Sequence, residues 1–361
     1  MDAAKDHSLD NRKTRIIFID IAKCIAMIAV IMGHTQFQRP EKLERLIYAF
    51  HMPLFFMASG YFFHQAGLNK AYIKKLAKSL ILPYWLVSAG IIVINIIIDA
   101  VNNNPIQDNV IKWASAALYG SGSRTDWSVW FSTEIVIIGL LWFFLALFWG
   151  KIILASIFKL SDKSAVRAIL VCGIAWSGYY MSQHGEWFPL SFYAGMTSVF
   201  FIWIGYLFRK YDVIHKKCPA VLLLLGVFLC IYVAFRIEPL YLSRNKFDDG
   251  FMNVIAAIVI SYLILKMCYF AEFRKIIGIR AISFLGKNTL LLAAVHQLEA
   301  KFINWGTDIP RLLTDIGLPS NYWVVSLTRC LFVICVFLLM KGIFASFQKM
   351  RTGKVFHKHP T

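Results

Sequence analysis

Ten apolar runs, each about as long as a bilayer-crossing helix, constrain this chain more than any other feature. They cover roughly residues 16–34, 46–63, 76–98, 128–149, 165–181, 189–208, 219–237, 250–270, 281–300 and 322–347. In hydrocarbon every backbone amide must find its partner inside its own segment, so runs of this kind fold as helices. The expected fold class is therefore all-α: a polytopic membrane protein of about ten transmembrane helices. The 58% hydrophobic and 16% charged composition agrees, and a soluble domain would carry more charge. The expected layout is an N-terminal cytoplasmic segment over 1–15, a membrane domain over 16–347 and a short cytoplasmic tail over 348–361, with no soluble domain appended. The first run has a basic lead-in but no small-residue cleavage site, so it reads as a retained helix, not a signal peptide.

The 38 Lys and Arg give a net charge of +18. They cluster at helix ends and form no separate patch, which argues against a nucleic-acid partner. With the N-terminus in the cytoplasm, 26 fall on the cytoplasmic side and ten on the other. This asymmetry predicts both termini inside. The seven cysteines include no CxxC pair and mostly sit inside apolar runs, as small membrane-embedded hydrophobes. No His spacing suggests a metal site, and there is no HExxH, Gly-rich phosphate loop or Gly-x-Ser-x-Gly elbow.

The first run contains Asp20 and Lys23 and is closed by His34. Ionisable groups at membrane depth are costly and mark sites by default. Lys23 and His34 are eleven residues apart, so they share a helix face about 16 Å apart along the axis, with Asp20 one turn further on that stripe. The predicted topology places His34, His51, Glu134, His296 and Arg329, from five helices, in one layer of the outer half. Glu134 and Arg329 form a plausible buried pair, which would be structural. His51 precedes Pro53, which removes a backbone donor from its helix. Ser59-Gly60 reads as close helix packing. Trp113, Trp127 and Trp130 lie near the outer boundary, where stacking on sugars competes with an ordinary aromatic belt. The clusters Lys74-Lys75 and Arg274-Lys275 follow from orientation alone.

Four segments carry a resemblance. Ile19-Asp20-Ile21-Ala22-Lys23-Cys24-Ile25-Ala26 with Met32-Gly33-His34 comes first. Phe50-His51-Met52-Pro53-Leu54-Phe55-Phe56-Met57-Ala58-Ser59-Gly60-Tyr61 comes second, and Leu141-Trp142-Phe143-Phe144-Leu145-Ala146-Leu147 third. Leu285-Gly286-Lys287-Asn288-Thr289-Leu290, followed by His296, comes last. In this order they resemble the acyltransferase family 3 membrane proteins, the integral-membrane O-acyltransferases of surface polysaccharides. Many members have Arg where this chain has Lys23; lysine there resembles the fucose-acetylase-like branch and keeps the charge without the planar fork.

The resemblance implies transfer of an acyl group, acetyl in the simplest case, from acyl-coenzyme A to a sugar hydroxyl of an exported or cell-surface polysaccharide. Acetyl-CoA is then a co-substrate, with no permanently bound cofactor. The expected partners are acyl-CoA, a glycan or lipid-linked sugar, the bilayer and the polysaccharide synthesis machinery. His34 is the expected catalytic base, since imidazole takes a proton near neutrality; the alternative is an interfacial histidine. Asp20 and Lys23 are expected to bind or orient the donor, the alternative being a mutually neutralising pair. His51, Glu134, His296 and Arg329 are expected to bind the acceptor or support the site. Two competing readings are a glycan or lipid-linked sugar transporter and a non-catalytic synthase subunit.

Overall fold

The computed structural model describes residues 15–351 except 65–67, 104, 123–126, 129–132 and 186–187. Among these residues the architecture is helical, with one two-residue antiparallel ladder. The elements in order are α1 (Ile17–Gly33), α2 (Glu41–Tyr61), α3 (Lys70–Leu76), α4 (Leu82–Val101), α5 (Ile106–Tyr119), β1 (Trp127–Ser128), β2 (Thr133–Glu134), α6 (Trp142–Leu160) and α7 (Ser164–His184). There follow α8 (Phe192–Lys210), α9 (Ala220–Arg236), α10 (Phe251–Phe273), α11 (Ile279–Lys287), α12 (Thr289–Phe302), α13 (Asp308–Asp315) and α14 (Tyr322–Arg351). A π-helical turn over Ala77–Ile81 joins α3 to α4, giving a continuous helix from Lys70 to Val101.

Among the described residues five helices are long and apolar enough to cross a membrane: Lys70–Val101, Trp142–Leu160, Phe192–Lys210, Phe251–Phe273 and Tyr322–Phe347. The α9 helix is apolar but shorter. Most of the expected runs correspond to one helix each. Two differ. The run over 128–149 is not a helix from its start: β1 and β2 pair Trp127 with Glu134, residues 135–139 are irregular, and α6 begins at Trp142. Two glycines and a cluster of Ser and Thr over 120–133 favour turns over helix here. The run over 281–300 is broken at Asn288, whose backbone leaves the helical region (φ −108°, ψ 22°) while its side chain donates to the Phe284 carbonyl. At the C-terminus α14 continues to Arg351, past the expected end of the last run.

The core is an apolar cluster in which Phe56, Phe144, Phe201 and Phe337 are fully buried. Two close crossings set its geometry. A Cβ on Gly60 would lie 1.8 Å from the Ile202 carbonyl oxygen, and one on Gly205 would lie 1.9 Å from that of Met57, so α2 and α8 touch backbone to backbone. A Cβ on Gly286 would lie 1.7 Å from the Asp20 carbonyl oxygen, so α11 rests directly on α1. The second crossing brings Lys287, the next residue, to the side of the bundle that carries Lys23.

Candidate active site

The last carbonyls of α1 have no partners within their own helix. Three are held by side chains from elsewhere. Tyr322 on α14 donates its hydroxyl to the Met32 carbonyl at 2.9 Å. Arg39, in the loop after α1, donates to the Gly33 carbonyl, which also accepts from the Tyr48 hydroxyl at 3.4 Å. Arg329 on α14 donates Nη1 to the His34 carbonyl at 2.7 Å. His34 itself is the residue just past the helix, accessible to solvent, with its backbone fixed on three sides.

Its imidazole packs against that of His296, with ring centroids 5.5 Å apart. His296 is buried in α12, and its Nδ1 is 2.7 Å from Oε1 of Glu299, one turn on. The same Oε1 accepts from Nε of Arg329 at 2.9 Å, and Oε2 accepts from the Trp305 indole. Glu299 is therefore a buried carboxylate with donors from three side chains. Its charge is matched by Arg329, as a buried ion must be. The carboxylate favours the His296 tautomer with its proton on Nδ1, leaving Nε2 as the basic nitrogen. Arg329 links both histidines: one edge holds Glu299 and the other the His34 carbonyl.

A second layer supports the Arg39 contact. Arg39 pairs with Glu44 on α2, and Glu44 accepts from the Tyr241 hydroxyl at 3.0 Å. Burial, and then the Glu44 carboxylate, pushes the Tyr241 phenol above its ordinary pKa, so it stays a donor. His51 is buried on α2 with Nδ1 2.7 Å from the Ile47 carbonyl of its own helix, and its ring meets Tyr48 edge-on at 4.9 Å. It stands against Tyr48 on the same helix.

At the other end of α1, Asp20 is buried between two cations. Its Oδ1 is 2.8 Å from Lys23 Nζ and its Oδ2 is 2.6 Å from Arg15 Nε. Lys23 also lines a cavity of about 270 Å³. Lys151 on α6 and Lys287 on α11 join it there, with Ser59, Ser79 and Thr289. The rest of the wall is apolar, including Met27, Val30, Met52, Phe143 and Ala293. The π turn contributes Ser79 and Leu80, and the Asn288 break sets Lys287 and Thr289 on the same wall. Irregular backbone at membrane depth is tolerated where it lines such a cavity.

The cavity and the histidine pair lie on shared helices. Lys23, Met27 and Val30 line it from α1, and His34 follows at the same helical spacing. Leu290 and Ala293 line it from α12, and His296 follows three residues later. The stripe expected from sequence is thus the wall of a cavity rising toward His34.

The structure brings His34, His296 and Arg329 together, and keeps Asp20 and Lys23 as a separate pair. It corrects one expectation: Glu134 lies on β2, not two turns into a helix, and its side chain is outside the described residues. Arg329 finds a carboxylate partner in Glu299, because α12 and α14 pack side by side. Among residues sequence reasoning passed over, Glu299 had a signal: a carboxylate three residues from a histidine in an apolar run. Lys151 and Lys287 had none, since basic residues at helix ends are explained by orientation.

No curated protein and no solved structure gave a significant match to this chain. A family model described as an acyltransferase domain, Acyl_transf_3, matches residues 16–342. The chain therefore belongs to the acyltransferase 3 family, and is a membrane acyltransferase.

Proposed function

We propose that this enzyme moves an acetyl group from acetyl-CoA to a hydroxyl of a cell-surface or exported polysaccharide. The observation that carries this reading is the cavity whose three lysines lie at one end and whose α1 wall, Lys23-Met27-Val30, leads to His34. Coenzyme A has that polarity: phosphates at one end, a long slender arm, and the thioester at the tip. Lys23, Lys151 and Lys287 suit the phosphates as point charges. The apolar wall suits the arm. The lysine end faces the cytoplasm in this reading, since 26 of the 38 basic residues fall on that side. The thioester then reaches the outer half of a bacterial inner membrane.

In the proposed reaction His34 takes the proton of the sugar hydroxyl as its oxygen attacks the thioester carbonyl carbon. The C–S bond breaks and the sulfur leaves as the coenzyme A thiolate, which accepts the proton from His34. His296, held by Glu299, stands beside His34 and steadies the imidazolium that forms. Arg329 fixes His34 through its carbonyl. Asp20 keeps Lys23 oriented at the donor end. His51 supports Tyr48, and with it the end of α1. The products are an ester on the glycan and free coenzyme A.

The enzyme in nanodiscs, incubated with carbon-14 acetyl-CoA and the cell-envelope glycan fraction of its source, should transfer label to polysaccharide and release thiol in equal amounts. The same preparation should pass no labelled lipid-linked sugar across a vesicle membrane. Sugar movement without acetyl transfer would favour the transporter reading.

A further inference from the structure

A second cavity, of about 580 Å³, opens at the far end of the same helices. It is lined by Asn95 and Asp99 on α4, Asn109, Lys112 and Trp113 on α5, and Lys301 on α12, with Val136 and Ile137 completing the wall. Three stretches of chain place the two cavities on one line, and α1 extends from the first. On the α3–α4 helix, Ser79 belongs to the first cavity and Asn95 to the second, about 24 Å along the axis. On α12, Ala293 belongs to the first and Lys301 to the second, with His296 between them. Val136 and Ile137 line the second, while Leu140 and Phe143, a turn or two on, line the first. On α1 the first cavity's wall ends at Val30 and His34 comes next. The histidine pair is therefore level with the interval between the two cavities.

The chemistry of the second cavity differs from that of the first. Asn95 and Asp99 are four residues apart on one face of an otherwise apolar helix, and Asp99 is buried. Both lie in the last two turns of α4, where an amide and a buried carboxylate face the cavity. Trp113 lies beside them with the Lys301 ammonium 4.5 Å from its ring centroid. Lys301 also reaches the Ile137 carbonyl at 3.3 Å, which holds the wall in place. An aromatic face, two amides and a carboxylate match a pyranose, whose ring faces are C–H rich and whose rim is hydroxyl. The volume is that of an ordinary small-ligand pocket. Two lysines against one carboxylate leave the lining with an excess positive charge, which suits a sugar carrying an acidic group.

We propose that this cavity is the acceptor subsite, and that it takes a sugar residue bearing a carboxylate. The proposal rests on the transferase reading above and supplies its acceptor class. Trp113 provides the stacking face, Asn95, Asp99 and Asn109 engage hydroxyls, and Lys112 pairs with the carboxylate. A sugar seated there presents a hydroxyl toward the level of His34 and His296.

Saturation-transfer difference NMR on the full-length protein in nanodiscs tests this, with glucose, N-acetylglucosamine, glucuronate and galacturonate as probes. Binding of carbon-14 acetyl-CoA is measured on the same samples. The wild type should bind at least one uronate, more strongly than glucose. Trp113→Ala and Asn95→Leu should each reduce uronate binding about tenfold or more while acetyl-CoA binding changes less than twofold. Trp113→Phe, which keeps a stacking face, should retain most binding and guards against misfolding. Lys112→Gln should erase the preference for uronate over glucose. The proposal is overturned if no probe binds, if Trp113→Ala and Asn95→Leu bind uronate as the wild type does, or if glucose and glucuronate bind equally to the wild type. Uronate binding lost in Trp113→Ala, in a protein that never binds acetyl-CoA, would uphold the sugar site and remove the transferase reading instead.

Discussion

The two ends of α1 are built in opposite ways. At the His34 end, Glu299, His296, Arg329 and Trp305 form a closed, buried set in which one carboxylate takes donors from three side chains. Three carbonyls in a row are anchored by side chains from α14 and from the loop after α1. At the Lys23 end, one buried carboxylate holds Lys23 and Arg15, and the other lysines line an open cavity with hydroxyls between them. Buried networks cost much to rearrange, because low dielectric penalises every unpaired group. Lysines on flexible stems adjust to a ligand at little cost. The first construction suits chemistry that needs a fixed geometry, and the second suits capture of an anion. The contrast predicts that changes at the first end act on kcat and those at the second on KM.

The largest effect should come from His34. A general base contributes about 10²–10⁴-fold to rate. His34→Gln should lose that much in kcat for glycan acetylation, at unchanged expression and unchanged KM for acetyl-CoA. Glutamine keeps size and hydrogen bonding but takes no proton near neutrality. A variant that acetylates at the wild-type rate moves the base to His296, the one other histidine whose ring touches this position.

Next is the Glu299 hub. Glu299→Gln should lower kcat about 10–100-fold, as loss of an orienting partner does, with KM for acetyl-CoA nearly constant. Removing one member of a buried ion pair costs about 3–5 kcal/mol, so Arg329→Ala should also lower the thermal midpoint of the detergent-solubilised protein. If Glu299→Gln raised KM for acetyl-CoA and spared kcat, the division between the two ends would fail.

How much of this arrangement the sequence discloses depends on the interaction. Most of the helices, and the stripe from Lys23 to Val30, follow from periodicity, which is local. The identity of the Arg329 partner was not legible. It depends on which helices pack side by side, and α12 lies against α14 through a tertiary choice that no spacing encodes. Glu134 was misplaced because the mean apolarity of 128–149 hides the turn-forming residues at its start. The Asn288 break was hidden for a similar reason: Gly286-Lys287-Asn288-Thr289 is four residues inside two apolar flanks. Asn95 and Asp99 were legible in principle, as two polar residues four apart in an apolar run, but only the second cavity gives them a common purpose.

A moderate effect is expected at the Lys23 end. Lys23→Ala should raise KM for acetyl-CoA about tenfold, the equivalent of 1.4 kcal/mol, with kcat nearly constant. Lys151→Ala and Lys287→Ala should each give a similar or smaller rise, and Lys23→Arg should stay close to wild type because charge, not fork geometry, is at work. All three rises should shrink as salt is added, since screening weakens accessible charges. Salt-independent effects, or effects on kcat alone, would assign the lysines to helix packing.

The smallest effect should come from His51, although it lies in the same half of the bundle as His34. Its Nδ1 is taken up by the Ile47 carbonyl of its own helix, and its ring only meets Tyr48 edge-on. That hydrogen bond is worth about 1 kcal/mol net. His51→Gln retains a donor for Ile47, so the loss should be smaller still, with kcat falling less than about tenfold and KM for acetyl-CoA unchanged. His51→Leu loses the bond to the Ile47 carbonyl, which keeps its helical partner, and also loses the ring contact that props Tyr48 against Gly33. Its effect should therefore exceed that of His51→Gln, and Tyr48→Phe should reproduce part of it. Initial rates across the three variants decide the point. A His51→Gln protein as inactive as His34→Gln would place a third histidine in the chemistry, and the fixed end of α1 would then extend onto α2.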